Sequence, residues 1–244
     1  MFKLAHLSDV HLGPMPAATV AELASKRIIG LMSWKLRRQA IHNVGVLNRV
    51  VTDIKQAKVD HIAFTGDLAN ISLPKEFSRG QHWLAELGTP DKVSFVPGNH
   101  DTYVCVPWDK GLALWGDYMV GDLNMPGVRM SNYNAALFPY VRRRKNIALI
   151  GVTSAIPAPW NKAWGHAGQR QLAALAEILT RLHGQGFYRI VMIHHPPLPG
   201  LAKDRKALRD AVEMESVLKK CGAELVLHGH NHQHMHTELE TGTG

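Results

Sequence analysis

Five clusters of nitrogen and oxygen ligands punctuate this chain: Asp9-x-His11, Asp67, Asn99-His100, His194 and His230-x-His232. Each follows a short apolar run that reads as a strand. In an extended backbone residues i and i+2 share a face, so Asp9 and His11 aim an oxygen and a nitrogen at a common point. Gly66 and Gly98 precede two of the clusters and let the backbone turn sharply where a strand ends. Any one cluster alone reads equally well as a polar turn, with Asn or Asp bonded to its own backbone. Several at the same relative position in successive units do not read as independent turns. A sheet gathers the loops at its carboxyl edge, where open α/β sheets bind ligands. The donors are His, Asp and Asn without cysteine, which suits Mn, Fe, Zn or Co better than a thiolate site does. Seven candidate ligands exceed the needs of one tetrahedral ion. Two ions sharing a carboxylate would use them, and that points to two-metal hydrolysis.

The elements that must carry these clusters alternate in type. Strand-like runs at 4–7, 59–65, 91–96, 147–152, 188–193 and 223–227 are interleaved with helical patterns at 40–57, 74–87, 169–183 and 205–220. Pro196 and Pro197 end the strand that delivers His194, and Gly222 suits the C-cap of the last helix. The alternation predicts an α/β layered domain. No repeat or linker divides it, so a single domain is expected over residues 1–244. Residues 104–140 are poorly periodic and read as loop and short helix near the mouth of the site. Arg142-Arg143-Arg144-Lys145 reads as a solvated run leading into the next strand, or else as a contact for a phosphate backbone. Residues 17–38 form a basic and apolar helical flap, with Lys26, Arg27, Lys35, Arg37 and Arg38 around Ile28, Ile29, Leu31, Met32 and Trp34. It reads first as a helix over the core with a solvated basic rim. Alternatively it meets a lipid surface or covers an acyl-bearing substrate.

A chain of 244 residues, 45% hydrophobic and 20% charged, has the composition of one globular core. Its formal charge of +8 implies an anionic partner: nucleic acid, a phospholipid surface or a phosphorylated metabolite. Cys105 and Cys221 make no disulfide framework, so a reducing compartment is expected. There is no signal-peptide pattern, and no apolar run approaches the ~18 residues of a membrane span. A cytoplasmic location is the expectation.

Taken together, Asp9-x-His11, Gly66-Asp67, Gly98-Asn99-His100-Asp101, His194-His195-Pro196 and Gly229-His230-x-His232 resemble the calcineurin-like metallophosphoesterase superfamily. The ordered set spans residues 9–232. The resemblance implies an α/β fold in which a two-sheet β-sandwich is flanked by helices in four layers. It implies that Asp9, His11 and His232 hold one metal and that Asn99, His194 and His230 hold the other, with Asp67 bridging. His100 matches the family's catalytic, non-ligand histidine. It is expected near its ordinary pKa, stabilising the transition state or protonating the leaving group. Asp101 is expected to orient a ligand, His195 to neighbour the site and face substrate, and His228 and His234 to be structural or exposed.

The expected activity is phosphodiester hydrolysis by metal-bound hydroxide with two ions, Mn, Fe or Zn. Phosphomonoesters, the pyrophosphate of a nucleotide-lipid and DNA are the alternative substrates. The flap adds weight to a lipid-linked substrate or a peripheral membrane contact. Nucleic acid fits the charge, but the capping regions usual in the superfamily's nucleases are not found. An inactive protein-binding scaffold is the remaining alternative, and the complete ligand set argues against it. Family members continue through further strands after the last motif, whereas here only residues 233–244 follow. The end reads as truncated, or as an edge completed by another chain, which leaves the oligomeric state open.

Overall fold

The computed structural model describes residues 1–131 and 134–242. Strand β1 (Leu4–Leu7) leads into a helical insertion: α1 (Val20–Leu23), α2 (Arg27–Ser33), a π-helical turn (Trp34–Arg38), α3 (Gln39–Ile41) and α4 (Val44–Gln56). Where periodicity predicts one helix over 40–57, the chain breaks at His42 and restarts at Asn43. The Asn43 side chain accepts hydrogen bonds from the Gly45 and Val46 amides and so caps α4. Strand β2 (His61–Phe64), helix α5 (Pro74–Leu87) and β3 (Val93–Phe95) follow. Helix α5 starts with proline, and its buried Glu76 accepts from the amides of Asn70, Ile71 and Leu73, fixing the loop before it.

Residues 104–140 differ from the loop and short helix expected. Short 3-10 segments at Trp108–Lys110 and Leu112–Met119 lead to a hairpin of β4 (Val128–Ser131) and β5 (Asn134–Phe138). The basic run also differs, since Arg142–Arg144 belong to β6 (Tyr140–Arg144). Arg142 is only 4% exposed, and its guanidinium donates to the carbonyls of Val120, Pro90, Val93 and Asp117. Strand β7 (Ile147–Gly151), helix α6 (Gln169–Gly184), β8 (Tyr188–Met192), α7 (Ala211–Cys221) and β9 (Leu225–Leu227) complete the order. Helix α7 begins later than the expected 205. Asp210 instead turns its carboxylate to the amides of Ala167 and Gly168.

The molecule is α/β, with two principal sheets. The first has order β1-β2-β3, all parallel; the second has order β6-β7-β8-β9, with β6 antiparallel and the others parallel. Side chains alternate along β7 and β8 with the period of a strand. Leu149, Ile190 and Met192 share a buried cluster with Phe64 and Phe95 of the first sheet. Ala148, Ile150 and Val191 face the other way, onto Leu172, Leu175 and Leu179 of α6 and Met214 and Leu218 of α7. Burial of these faces supplies the main force holding the two sheets in place. Cys105 is exposed and Cys221 buried, both as free thiols. No helix among the described residues is long and apolar enough to cross a membrane.

Candidate metal centre

All five clusters follow parallel strands, so they meet along one edge. Asp9 and His11 follow β1, Asp67 follows β2, Asn99 and His100 follow β3, His194 follows β8, and His230 and His232 follow β9. Beyond the strands the pairing continues in the loops: the Asp9 amide donates to Gly66 O and the His11 amide to Asp67 O, each at 2.9 Å. Among the described residues, eight non-glycine residues have positive φ, and Asp9, His11, Asp67, His230 and His232 are five of them. Left-handed backbone is costly for such residues and collects at functional sites.

The side chains form two trios around Asp67. In the first, His232 Nε2 lies 3.2 Å from Asp9 Oδ1 and 3.3 Å from His11 Nε2. In the second, His194 Nε2 lies 3.2 Å from Asn99 Oδ1 and 3.3 Å from His230 Nδ1. Asp67 Oδ2 sits between them, 3.7 Å from His11 Nε2 and 3.3 Å from His194 Nε2. These are the groupings that the sequence resemblance implies.

The donor atoms fit metal ions better than they fit one another. Asp9 Oδ2 accepts from Ser8 Oγ and the His230 amide, leaving Oδ1 buried with no hydrogen bond. Asp67 Oδ1 accepts the His100 amide at 2.7 Å, leaving Oδ2 aimed at the imidazoles. His11 Nδ1 and His194 Nδ1 face the carbonyls of Ala69 and Thr65, which assigns their protons to Nδ1 and frees both Nε2 lone pairs. Lone pairs that face each other across about 3 Å without protons between them call for cations. The electrostatics favour a positive charge among these groups, which without an ion falls to a proton on His194. Burial opposes a charge on His194, yet the Asp67 and Asp9 carboxylates outweigh it and raise its pKa to about 9. Burial alone would raise Asp9 and Asp67, but the surrounding histidines hold both below the usual carboxylate range. A Cβ on Gly98 would lie 2.1 Å from Asp67 Oδ1, and one on Gly229 2.3 Å from Asp9 Oδ2. Both glycines are therefore required by the close approach of the carboxylates.

His100 is buried beside the first trio, its ring 4.8 Å from that of His11. Its Nδ1 lies 2.5 Å from Asn70 O and 3.2 Å from Arg38 Nη1. One nitrogen cannot donate to the carbonyl and accept from the guanidinium, so the shorter contact places the proton on Nδ1 and leaves Nε2 open. Its near-neutral expectation is corrected: burial, then the Arg38 charge, pushes the imidazole down to about 3. Asp101 has a clear place. Its carboxylate accepts from the amides of Asp67, Gly98 and Ala69, each at 2.8 Å, tying the β2 and β3 exit loops together. His195 neighbours the site, its ring 4.3 Å from that of His230, and both its nitrogens meet protein groups. It is wholly buried, with Nδ1 2.7 Å from Ser154 Oγ and Nε2 3.2 Å from Ala163 O. His228 is partly buried and His234 exposed.

Two residues of the site lie outside the sequence motifs. Arg38 reaches His100 from the π-helical turn. His42 stacks on Trp34 and brings its ring to 4.5 Å from that of His11. It joins His11 and His232 in a group whose ligand atoms lie within 4.8 Å of one another. No spacing rule marks Arg38, because tertiary folding of the helical insertion brings its π-helical turn to the site. For His42 the signal is its position just before the Asn43 cap, where a helix stops.

Fold and geometry together define an α/β protein with candidate metal-binding groups gathered along the carboxyl edge of its strands. The chain belongs to the calcineurin-like phosphoesterase family, whose model matches residues 2–234, and this family uses a dinuclear metal centre. A crystal structure of a dimetal phosphatase from Danio rerio is similar with a TM-score of 0.56 and 13% identity, over 95% of this chain and 82% of that one. A Staphylococcus aureus protein named as a 5'-nucleotidase gives 0.51 and 13% identity over 98% of this chain. This chain spans 46% of that protein's length. At these identities the likeness is one of fold. No curated protein matches the sequence.

Proposed function

We propose that this protein hydrolyses phosphodiesters with two metal ions, Mn, Fe or Zn. Asp9, His11 and His232 hold one, Asn99, His194 and His230 the other, and Asp67 bridges. The observation that carries this reading is the convergence of two ligand trios on Asp67 Oδ2, beside a buried His100. Ions bound there supply Lewis-acid neutralisation of charge on phosphoryl oxygens and ease deprotonation of a water nucleophile at neutral pH. Arg38 offers its planar fork to a phosphate oxygen next to His100. His100, with its Nδ1 proton on Asn70 O, directs Nε2 at the site; to act there as an acid it must first take up a proton, which the negative charge of a bound phosphate favours by opposing the Arg38 charge. Asp101 acts through the backbone and keeps Asp67 and Gly98 in register.

Space beside the site favours a diester. A cleft of about 240 Å³ touches Asp9 and His11 and is walled by Ile41, Val44, Val46 and Val50, giving room for a second ester substituent. A phosphomonoester is the second reading, favoured by the names of the two similar structures, a phosphatase and a nucleotidase. The test is the Mn²⁺-loaded protein with bis(p-nitrophenyl) phosphate against p-nitrophenyl phosphate. A kcat/KM about tenfold or more higher for the diester supports the proposal. Preference for the monoester overturns it.

A further inference from the structure

Residues 20–50 carry a surface that hydrolysis does not explain. Between Glu22 and Asp53 there is no acidic residue, while Lys26, Arg27, Lys35, Arg37, Arg38 and Arg49 supply six cations. Of the sixteen large hydrophobic residues exposed among the described residues, nine lie between Val20 and Val50. Ile28, Met32 and Leu36 follow at intervals of four, with Ile29 beside them, and are 47%, 57%, 77% and 43% exposed respectively. An apolar cluster of this density is unusual on a solvated face.

The exposure is built in, because the opposite side of the same segment is anchored. Trp34 is 4% exposed, and Gly30 sits so close to the loop after β2 that a Cβ would meet Ile71 Cγ2 at 2.4 Å. Arg27 donates to the carbonyls of Ile71 and Ser72. Lys26, 9% exposed, donates to Ala158 O and Lys162 O and lies over the Tyr103 ring. Two of the expected rim cations are thus structural. Lys35, Arg37 and Arg49 remain exposed among the apolar residues.

We propose that this face docks on an anionic lipid surface, with Ile28, Ile29, Met32 and Leu36 entering the acyl boundary and Lys35 and Arg37 meeting the head groups. Exposed aliphatics interleaved with cations are the pattern of interfacial helices. A second copy of the chain fits poorly, since a two-fold contact would set this wholly cationic face against itself. A protein partner fits less well than lipid, because the patch shows no aromatic anchor: its tryptophan points inward. The docked face borders the site, since Arg38 on the next turn contacts His100 and the cleft beside Asp9 opens between Ile41 and Val46. Docking therefore brings the mouth of the site to the lipid head groups. The docking itself is independent of the hydrolysis reading.

The test is flotation of the Mn²⁺-loaded protein with vesicles of phosphatidylcholine alone or mixed with phosphatidylglycerol, at low and high salt. The expected result is binding to the anionic vesicles that weakens as salt rises. Met32→Glu/Leu36→Glu should lower partitioning by about tenfold or more. Lys35→Glu/Arg37→Glu should lower it by about fivefold per charge. Both variants should retain the wild-type melting temperature and wild-type turnover of a soluble diester. Absence of flotation, equal binding to neutral vesicles, or unchanged binding by both variants would overturn the proposal. So would a dimer in solution that Leu36→Glu dissociates without any vesicle binding. If the soluble diester is not turned over while vesicle binding behaves as described, the hydrolysis reading fails and the docking stands.

Discussion

At the scale of single residues, the site depends on which nitrogen of each histidine is committed to the backbone. Thr65 O, Ala69 O and Asn70 O lie in the loop after β2 and face Nδ1 of His194, His11 and His100. That loop also carries Asp67 and is held by the Asp101 carboxylate. One short segment thus fixes three tautomers and the bridging ligand, so all three Nε2 atoms are available at once. His100 differs from the other two in lying beside Arg38, although its ligand atom also comes within 4.8 Å of those of His11 and Asp67. His100→Ala is therefore expected to keep its metal while kcat falls by about 10²–10⁴. Steady-state kinetics beside metal analysis checks this, and full turnover by a metal-loaded variant would contradict it.

At the scale of elements, parallel strands with reactive residues at their exits are what made the site readable. Asp9, Asp67, Asn99, His194 and His230 could be placed from the apolar run before each, because a parallel sheet leaves little choice about where its exits meet. Cationic residues were harder to place. Charge patterns assign Lys26, Arg27 and Arg142 to solvent, yet each is anchored to main-chain carbonyls. Long aliphatic stems let such residues cross from surface to interior, and local sequence does not reveal the waiting acceptors. The β4–β5 hairpin is not legible in the sequence for a related reason, since its register comes from pairing rather than from a visible apolar alternation. Arg142→Ala would leave the carbonyls of Val120, Val93 and Asp117 without the guanidinium that now serves them. A loss of about 3 kcal/mol in urea unfolding is expected, with little change in KM. Wild-type stability in this variant would contradict the account of β6.

At the scale of the whole molecule, buried histidines couple the fold to pH. His61 lies between the sheets, its Nε2 2.8 Å from Ser94 Oγ and its Nδ1 accepting from Arg144. Burial, then the Arg144 charge, lowers its pKa from 6.5 to about 3. The unfolded chain therefore binds the extra proton first as the pH falls. The contribution of a neutral His61 is complete above 6.5 and is lost progressively toward about 3. Urea midpoints between these limits should decline more steeply for wild type than for His61→Gln, and parallel declines would contradict the assignment. The family membership and the two trios make one claim about the assembled protein, that it is built around two ions sharing Asp67. Metal content after loading with Mn²⁺ and removal of the excess tests that claim most directly. Two ions per wild-type chain are predicted, with at most one in Asp67→Asn at unchanged secondary structure. A wild-type chain that holds one ion or none, or an Asp67→Asn chain that still holds two, would contradict it.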